Sequence, residues 1–393
     1  MGADQTPRVK LGLIGCGAQG RYLSEAAAVT EAVEFTACAD VKAESAEMAA
    51  REFGYERTYS DYREMLAEAD LEAVIVATTH AQLHPCALAA LQGGKHALVE
   101  KPMALRAADG RELVEAARAA GVNLMVGYSL RFMPPRILMK RLLDQGAIGE
   151  VRQVLAGQCI GVMGGWLGDP AQGGGPLYYI GTHALDQILW VVGQPAERVS
   201  AEMNRAEPGG CETEAMVNIR FQGGALGQLV TSQTFGGRYG WLDVLGTAGR
   251  LRAQWESDVL TVQSTIVDEY RNLTEITVPP TAYLPTPGAT ARARLSGSAY
   301  IRTWANELTE FVNSIREARP PSVSGEDGVR VLEVLDAAFE SQRTGEMVGV
   351  GGGQRLNRED AKPAKQHEEG RERLQQTQSE PTRCPQARAP RRF

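Results

Sequence analysis

One stretch near the start limits what this chain can fold into more than any other. In LGLIGCGAQGRYL an apolar run ends at Ile14, glycines follow at positions 15, 17 and 20, and a helical pattern begins at once. Strand, glycine turn and helix in that order open a βαβ unit. Gly15 permits the tight turn, Gly17 lets the backbone approach a ligand, and Gly20 lets helix and strand pack closely. Glycines also make ordinary turns, so the context decides. Up to Gly127, apolar runs at 9–14, 33–39, 73–77, 96–99 and 123–126 alternate with helical stretches such as 45–52. That alternation predicts a doubly wound parallel sheet covered on both faces, a Rossmann-type α/β domain.

After Gly127 the texture changes. Strand-like runs at 151–160, 198–203, 214–221, 225–234 and 241–245 follow one another without long helices, and helical patterns occupy 135–145, 182–192, 300–317 and 325–344. This predicts an α+β domain with a large, predominantly antiparallel open sheet. At 393 residues the chain is too long for one core. The expected division is 1–128 for the nucleotide-binding domain, 129–350 for substrate binding and oligomerisation, and 351–393 for a polar tail. The tail is poor in large apolar residues and rich in Gln, Glu, Arg and Pro, so disorder is expected there.

The formal charge of −7 leaves no basic field for a phosphate backbone, which argues against nucleic acid as a partner. No apolar run approaches the roughly 20 residues of a membrane span. The first residues lack the apolar core and cleavage site of a secretion signal, so the expected location is cytoplasmic. Six scattered cysteines suggest reduced thiols rather than a disulfide framework. No metal site is expected: His80 and His84 stand four apart, but no third ligand or HExxH glutamate accompanies them.

The glycine turn has a chemical use. The helix beginning near Ala18 and Gln19 offers unpaired N–H groups and a partial positive charge to a pyrophosphate. Asp40 ends the second strand twenty residues after Gly20, where an acid binds the adenosine ribose hydroxyls. An acid there repels a 2'-phosphate, so NAD is expected before NADP, with Lys42 keeping NADP open.

Further along, TTHAQLHPCALAALQGGKHALVEKPMAL leads to Glu100, Lys101 and Pro102. VGYSLRFMPP at 126–135, GAIGEV at 146–151, GGGPLYYIGTHALDQILWVVG at 173–193 and LGTAGRL at 245–251 follow in order. The series ends in AYIRTWANELTEFVNSI and PPSVSGEDGVRVLEVLDAAFES. With these motifs the chain resembles the glucose-fructose oxidoreductase and inositol dehydrogenase (Gfo/Idh/MocA) family over nearly everything except the tail. The resemblance implies an NAD(P)-dependent dehydrogenase or reductase acting on a hydroxyl or keto carbon of a sugar, cyclitol or related polyol. It also implies a homodimer or homotetramer formed through the open sheet.

By the same resemblance, Lys101 reaches the reacting hydroxyl and His183 completes a proton relay, while Glu100 sits near the nicotinamide ribose or orients Lys101. Burial beside a cationic nicotinamide lowers a lysine's proton affinity toward the working range. His183, at a helix start, either exchanges protons or is satisfied by backbone. The chain departs from the family at Tyr179, four residues before His183, where an acid is common. Its phenol is expected to meet the substrate or relay a proton, or else its presence signals altered or weakened dehydrogenase chemistry, and Asp186, one helical turn beyond His183, is either an orienter or a helix-packing or capping partner. Thr78, Thr79 and His84 match the loop lining the nicotinamide side. Arg131, Trp166, Asp169 and Tyr300 match substrate-facing positions, each with a packing role as the alternative, and Tyr283 is a candidate cover. Two other functions stay open: a glycosidase that retains NAD for oxidation and elimination, and a non-catalytic NAD sensor.

Overall fold

The computed structural model describes residues 8–30, 32–255, 257–278 and 299–351. Tyr283 and the expected tail from 352 onward lie outside the described residues.

The first sheet contains β1 (Val9–Ile14), β2 (Val33–Ala39), β3 (Arg57–Tyr59), β4 (Ala73–Val76), β5 (His96–Glu100) and β6 (Leu124–Gly127). They are parallel in the order β3-β2-β1-β4-β5-β6. Helices α1 (Ala18–Thr30), α2 (Ala43–Phe53), α3 (Tyr62–Glu68), α4 (His80–Gln92) and α5 (Ala107–Ala120) connect them. Every residue of β4 and β6 is buried, as strands covered on both faces require. The winding reverses between β1 and β4, which opens a crevice at the carboxyl ends of those strands. Strand β3 was not anticipated, because three residues at a sheet edge carry too little periodicity to be seen.

The second sheet contains β7 (Val151–Cys159), β8 (Ala196–Arg205), β9 (Glu212–Phe221), β10 (Leu226–Ser232), β11 (Tyr239–Gly246), β12 (Gly249–Gln254), β13 (Val259–Ser264), β14 (Thr274–Thr277) and β15 (Val348–Gly349). Its order is β14-β13-β12-β11-β7-β10-β9-β8-β15, antiparallel except where β10 pairs with β7. Alternating burial along β10 and β13 shows that one face is covered and the other open. Strands β12 to β15 are additions to the sequence reading. In β12 the inward residues are Leu251 and Ala253, while Arg250, Arg252 and Gln254 face out and give the run a loop-like composition.

Four further helices are α6 (Pro134–Asp144), α7 (Thr182–Val192), α8 (Ala299–Arg316) and α9 (Gly325–Thr344). Helix α7 lies under β7 and β10, and α9 under β8. The last two helices also return to the first half: α8 packs on α1, α9 packs on α5, and Met125 bridges Ser324. Ser324 and Asp327 form a capping box at the start of α9.

Candidate active site

The glycine loop crosses the crevice between β1 and β4. Gly15 has φ +94°, and a Cβ there would lie 2.5 Å from the Ala77 carbonyl oxygen. Gly20 acts through packing, since its Cβ would fall 2.0 Å from the Gly15 carbonyl oxygen. At Gly17 a Cβ would meet nothing within 4 Å, so the backbone faces open cleft. Asp40 ties the loop to β2: one carboxylate oxygen accepts from the Cys16 N–H at 2.8 Å and the other from the Lys42 N–H at 2.8 Å. Bare backbone at the start of α1, with an acid at the end of β2, suits a dinucleotide pyrophosphate and ribose. Gly20→Ala should cost about 1–3 kcal/mol of stability by overpacking against backbone, and should weaken NADH binding. A denaturation midpoint and an NADH titration both equal to those of the parent would refute this.

Gly15, Gly17, Ala18, Gln19, Asp40, Thr78, Thr79, Glu100 and Lys101 line a single cleft of about 1000 Å³, together with Trp166, Tyr179 and His183. At its centre Lys101, only 8% exposed, donates from Nζ to the Tyr179 carbonyl oxygen at 2.6 Å. The same nitrogen lies 4.7 Å from the centre of the Tyr179 ring. Burial brings the Lys101 pKa down to about 8, against the opposing charge of Glu100. Burial pushes the Glu100 carboxyl up, while Lys101 and the 2.8 Å bond from Gln19 Nε2 pull it down. The link from Gln19 joins the phosphate-loop helix to the residue beside the lysine.

Tyr179 sits in a π-turn, Leu177–Gly181, that runs straight into α7, the helix that carries His183. Such turns are frequent at functional sites because they redirect carbonyls and side chains. The His183 ring meets Tyr128 edge-on at 6.2 Å, and its Nδ1 is buried with no partner among the described residues. Burial and the Lys101 charge hold this imidazole neutral, well below its usual range. A second histidine, His80, was passed over in the sequence except as a metal candidate. It lines the cleft, pairs through Nδ1 with the Gly173 carbonyl oxygen at 2.7 Å, and meets Trp166 edge-on at 4.7 Å. Its pKa falls to about 3, first through burial and then through Lys101.

Other residues are placed elsewhere, and for these the expectations are corrected. Arg131 is buried outside the cleft lining, with Nε and Nη2 bonded to Asp186 at 2.9 and 2.6 Å and Nη1 3.5 Å from Asp327. It is a strut rather than a substrate contact. Asp186 is spent on that pair and does not orient His183. Asp169 caps a short 3₁₀ turn by accepting from the Ala171 N–H, and its exposed side chain is not in the cleft lining. His84 faces α5, its Nε2 2.9 Å from Glu112 Oε2. Tyr300 is the second residue of α8, but its side chain is not among the described ones. Thr78 and Thr79, by contrast, stay in the cleft lining, where the Thr79 hydroxyl lies 3.3 Å from the Gln172 side-chain oxygen and the Thr78 hydroxyl donates to the Thr79 carbonyl at 3.2 Å. Helix α8 also brings Trp304 against Tyr22 at the cleft wall, ring centres 5.5 Å apart, a contact between residues too distant in the chain to be read from it.

Among the described residues, no three His, Cys, Asp or Glu side chains converge as metal ligands, and no helix is long and apolar enough to cross a membrane. Five cysteines, Cys16, Cys38, Cys86, Cys159 and Cys211, are free and buried.

Comparison with known proteins gives two family matches: residues 9–128 to the oxidoreductase family with an NAD-binding Rossmann fold, and residues 137–252 to the GFO/IDH/MocA C-terminal domain. A 1,5-anhydro-D-fructose reductase from Ensifer adhaerens is 29% identical over 348 residues, spanning 86% of this chain and 98% of that protein. The levoglucosan dehydrogenase of Pseudarthrobacter phenanthrenivorans is 27% identical over 384 residues, spanning 85% and 96%. A solved levoglucosan dehydrogenase in complex with NADH and levoglucosan superposes with a TM-score of 0.79 at 26% identity, covering 88% of this chain and 100% of that one.

Proposed function

From a chain that belongs to the Gfo/Idh/MocA family of oxidoreductases, with an NAD-binding Rossmann fold in its first half, we propose an enzyme that moves a hydride between NAD and a hydroxyl-bearing carbon of a sugar, anhydrosugar or cyclitol. The observation that carries this reading is Lys101: an amine with depressed proton affinity, pinned to a carbonyl, in the same cleft as the bare glycine loop. The residues suit that cofactor: Gly15 to Gly20 would hold the pyrophosphate, Asp40 the adenosine ribose, and Glu100 with Lys101 would stand toward the nicotinamide. Bound NAD would supply the hydride acceptor or donor.

The protein's own part is proton transfer and orientation. In oxidation the neutral Lys101 amine takes the hydroxyl proton; in reduction the ammonium returns it to the developing alkoxide. His183, kept neutral, offers an imidazole nitrogen to a substrate oxygen. Trp166 and the Tyr179 ring wall this end of the cleft, as suits the apolar face of a sugar ring.

The sign of the pH dependence follows from Lys101. Only the free amine accepts a proton, so oxidation should rise with pH through a limb near 8, where half the lysine is deprotonated. Tyr179→Phe keeps the carbonyl and the ring face, and should leave that limb in place. A displaced limb in this variant would assign the proton to the phenol instead. The function itself is tested by a panel of sugars, anhydrosugars and cyclitols with NAD and with NADP, read by reduced-nicotinamide absorbance. Glycoside cleavage without an absorbance change would replace this reading with the retained-cofactor glycosidase.

We assign residues 1–128 to the nucleotide half and 129–350 to the substrate half. The open face of the second sheet, where Met216 is 55% exposed, supports a homodimer or homotetramer, and five buried free thiols support a cytoplasmic location.

A further inference from the structure

Glu212 opens β9, yet its side chain turns inward and is only 2% exposed. A buried carboxyl in a strand of the second sheet has no place in the chemistry above. Its Oε1 accepts from the Leu177 N–H at 2.9 Å, at the first residue of the π-turn. The backbone opposite makes room for it: Gly175 has φ +97°, and a Cβ there would lie 2.4 Å from the same oxygen. Two other contacts to the turn come from uncharged side chains. Tyr178 bonds the Leu105 carbonyl through its hydroxyl at 2.8 Å, and Thr231 Oγ1 lies 3.4 Å from the Pro176 carbonyl oxygen. Among the described residues, Glu212 places a carboxyl at the amino end of the run from Leu177 to Val192, where helix N–H groups favour negative charge. Two residues after Leu177, the Tyr179 carbonyl receives Lys101 Nζ.

We propose that Glu212 is a positioning residue for the reaction: by holding the start of the π-turn it sets where the Tyr179 carbonyl stands and so aims the Lys101 amine. The inference rests on the reading that Lys101 exchanges the substrate proton. A displacement of about 1 Å in such a constellation can cost on the order of 100-fold in rate. A role in folding alone would change stability and leave the pH profile of turnover untouched.

The test uses the full chain with NAD and whichever substrate the panel identifies, comparing Glu212→Ala and Glu212→Gln. Glu212→Gln keeps an oxygen able to accept from Leu177 and should stay within about threefold of the parent in kcat. Glu212→Ala should lose roughly 10- to 100-fold in kcat, move the ascending pH limb, and bind NADH as the parent does. If Glu212→Ala does not fold, Glu212→Asp, which retracts the carboxylate by one methylene, carries the same comparison. A folded variant lacking the Leu177 contact but keeping the parent's kcat and pH limb overturns the inference, as does an equal loss in Glu212→Gln with no shift of the limb. Lys101→Met keeps the two hypotheses apart. If it turns over normally, the functional reading fails; if it is inactive while Glu212→Ala is unaffected, only the positioning role fails.

Discussion

Lys101→Met should lower kcat by a factor of about 10²–10⁴, the usual contribution of one positioned acid–base group. Methionine has a similar length and fills the buried slot, so the change removes the amine and little else. The residues proposed to hold the pyrophosphate and adenosine ribose are the glycine loop and Asp40, at the carboxyl ends of β1 and β2, so NADH affinity should stay within a few-fold of the parent. The measurement is a pair of experiments: steady-state turnover across pH and an NADH titration by fluorescence. Near-normal turnover, or a variant whose residual rate still rises through the limb near 8, would remove Lys101 from the chemistry.

Asp186→Ala should destabilise the fold by about 3–5 kcal/mol, because it strands the Arg131 guanidinium in a site that excludes water. Arg131 is 6% and Asp186 1% exposed, and the pair is bidentate, with contacts at 2.6 and 2.9 Å. Asp327, at 3.5 Å, is a weaker second partner and is already engaged at the start of α9. The pair joins the segment after β6 to α7, the helix that bears His183, so the loss should show in the cleft as well as in stability. Chemical denaturation of parent and variant gives the number, and a loss below about 1 kcal/mol would show that water or Asp327 satisfies Arg131 unaided. The two buried cations differ: Arg131 is balanced by a bidentate contact with an acid, while Lys101 Nζ is held by a carbonyl and a ring, with the Glu100 charge acting from nearby.

Much of the fold could be read directly. Runs such as LGLIG and AVIVA signal strands because both faces of a parallel sheet are dry, so the apolar pattern is continuous and local. The glycine spacing and Asp40 are likewise local, since a turn, a helix start and a strand end lie within thirty residues. Strands β12 to β14 escaped notice because one of their faces is open to solvent and their arginines, threonines and glutamate mimic loop composition.

The site was harder to read in proportion to how far apart its parts lie in the chain. That Lys101 and His183 belong together came from family motifs, not from any pattern of their own. What each neighbouring residue does was decided by three-dimensional placement. Tyr179 contributes a backbone carbonyl that no side-chain argument could anticipate, because a π-turn rather than an α-helix precedes His183. For Asp186 and Arg131 the sequence offered a site role and a packing role alike, and the fold takes the packing role: they neutralise each other, since burial makes each charge intolerable without its opposite. The amino-acid order by itself determined the sheet of the first half and the dinucleotide loop, because those depend on spacing along a few adjacent elements, whereas the lysine was marked by the chain's resemblance to the family. Only the tertiary structure decided which polar groups face the cleft and which are used up in holding it together, because a side chain's chemistry depends on the partner that reaches it and on whether water can.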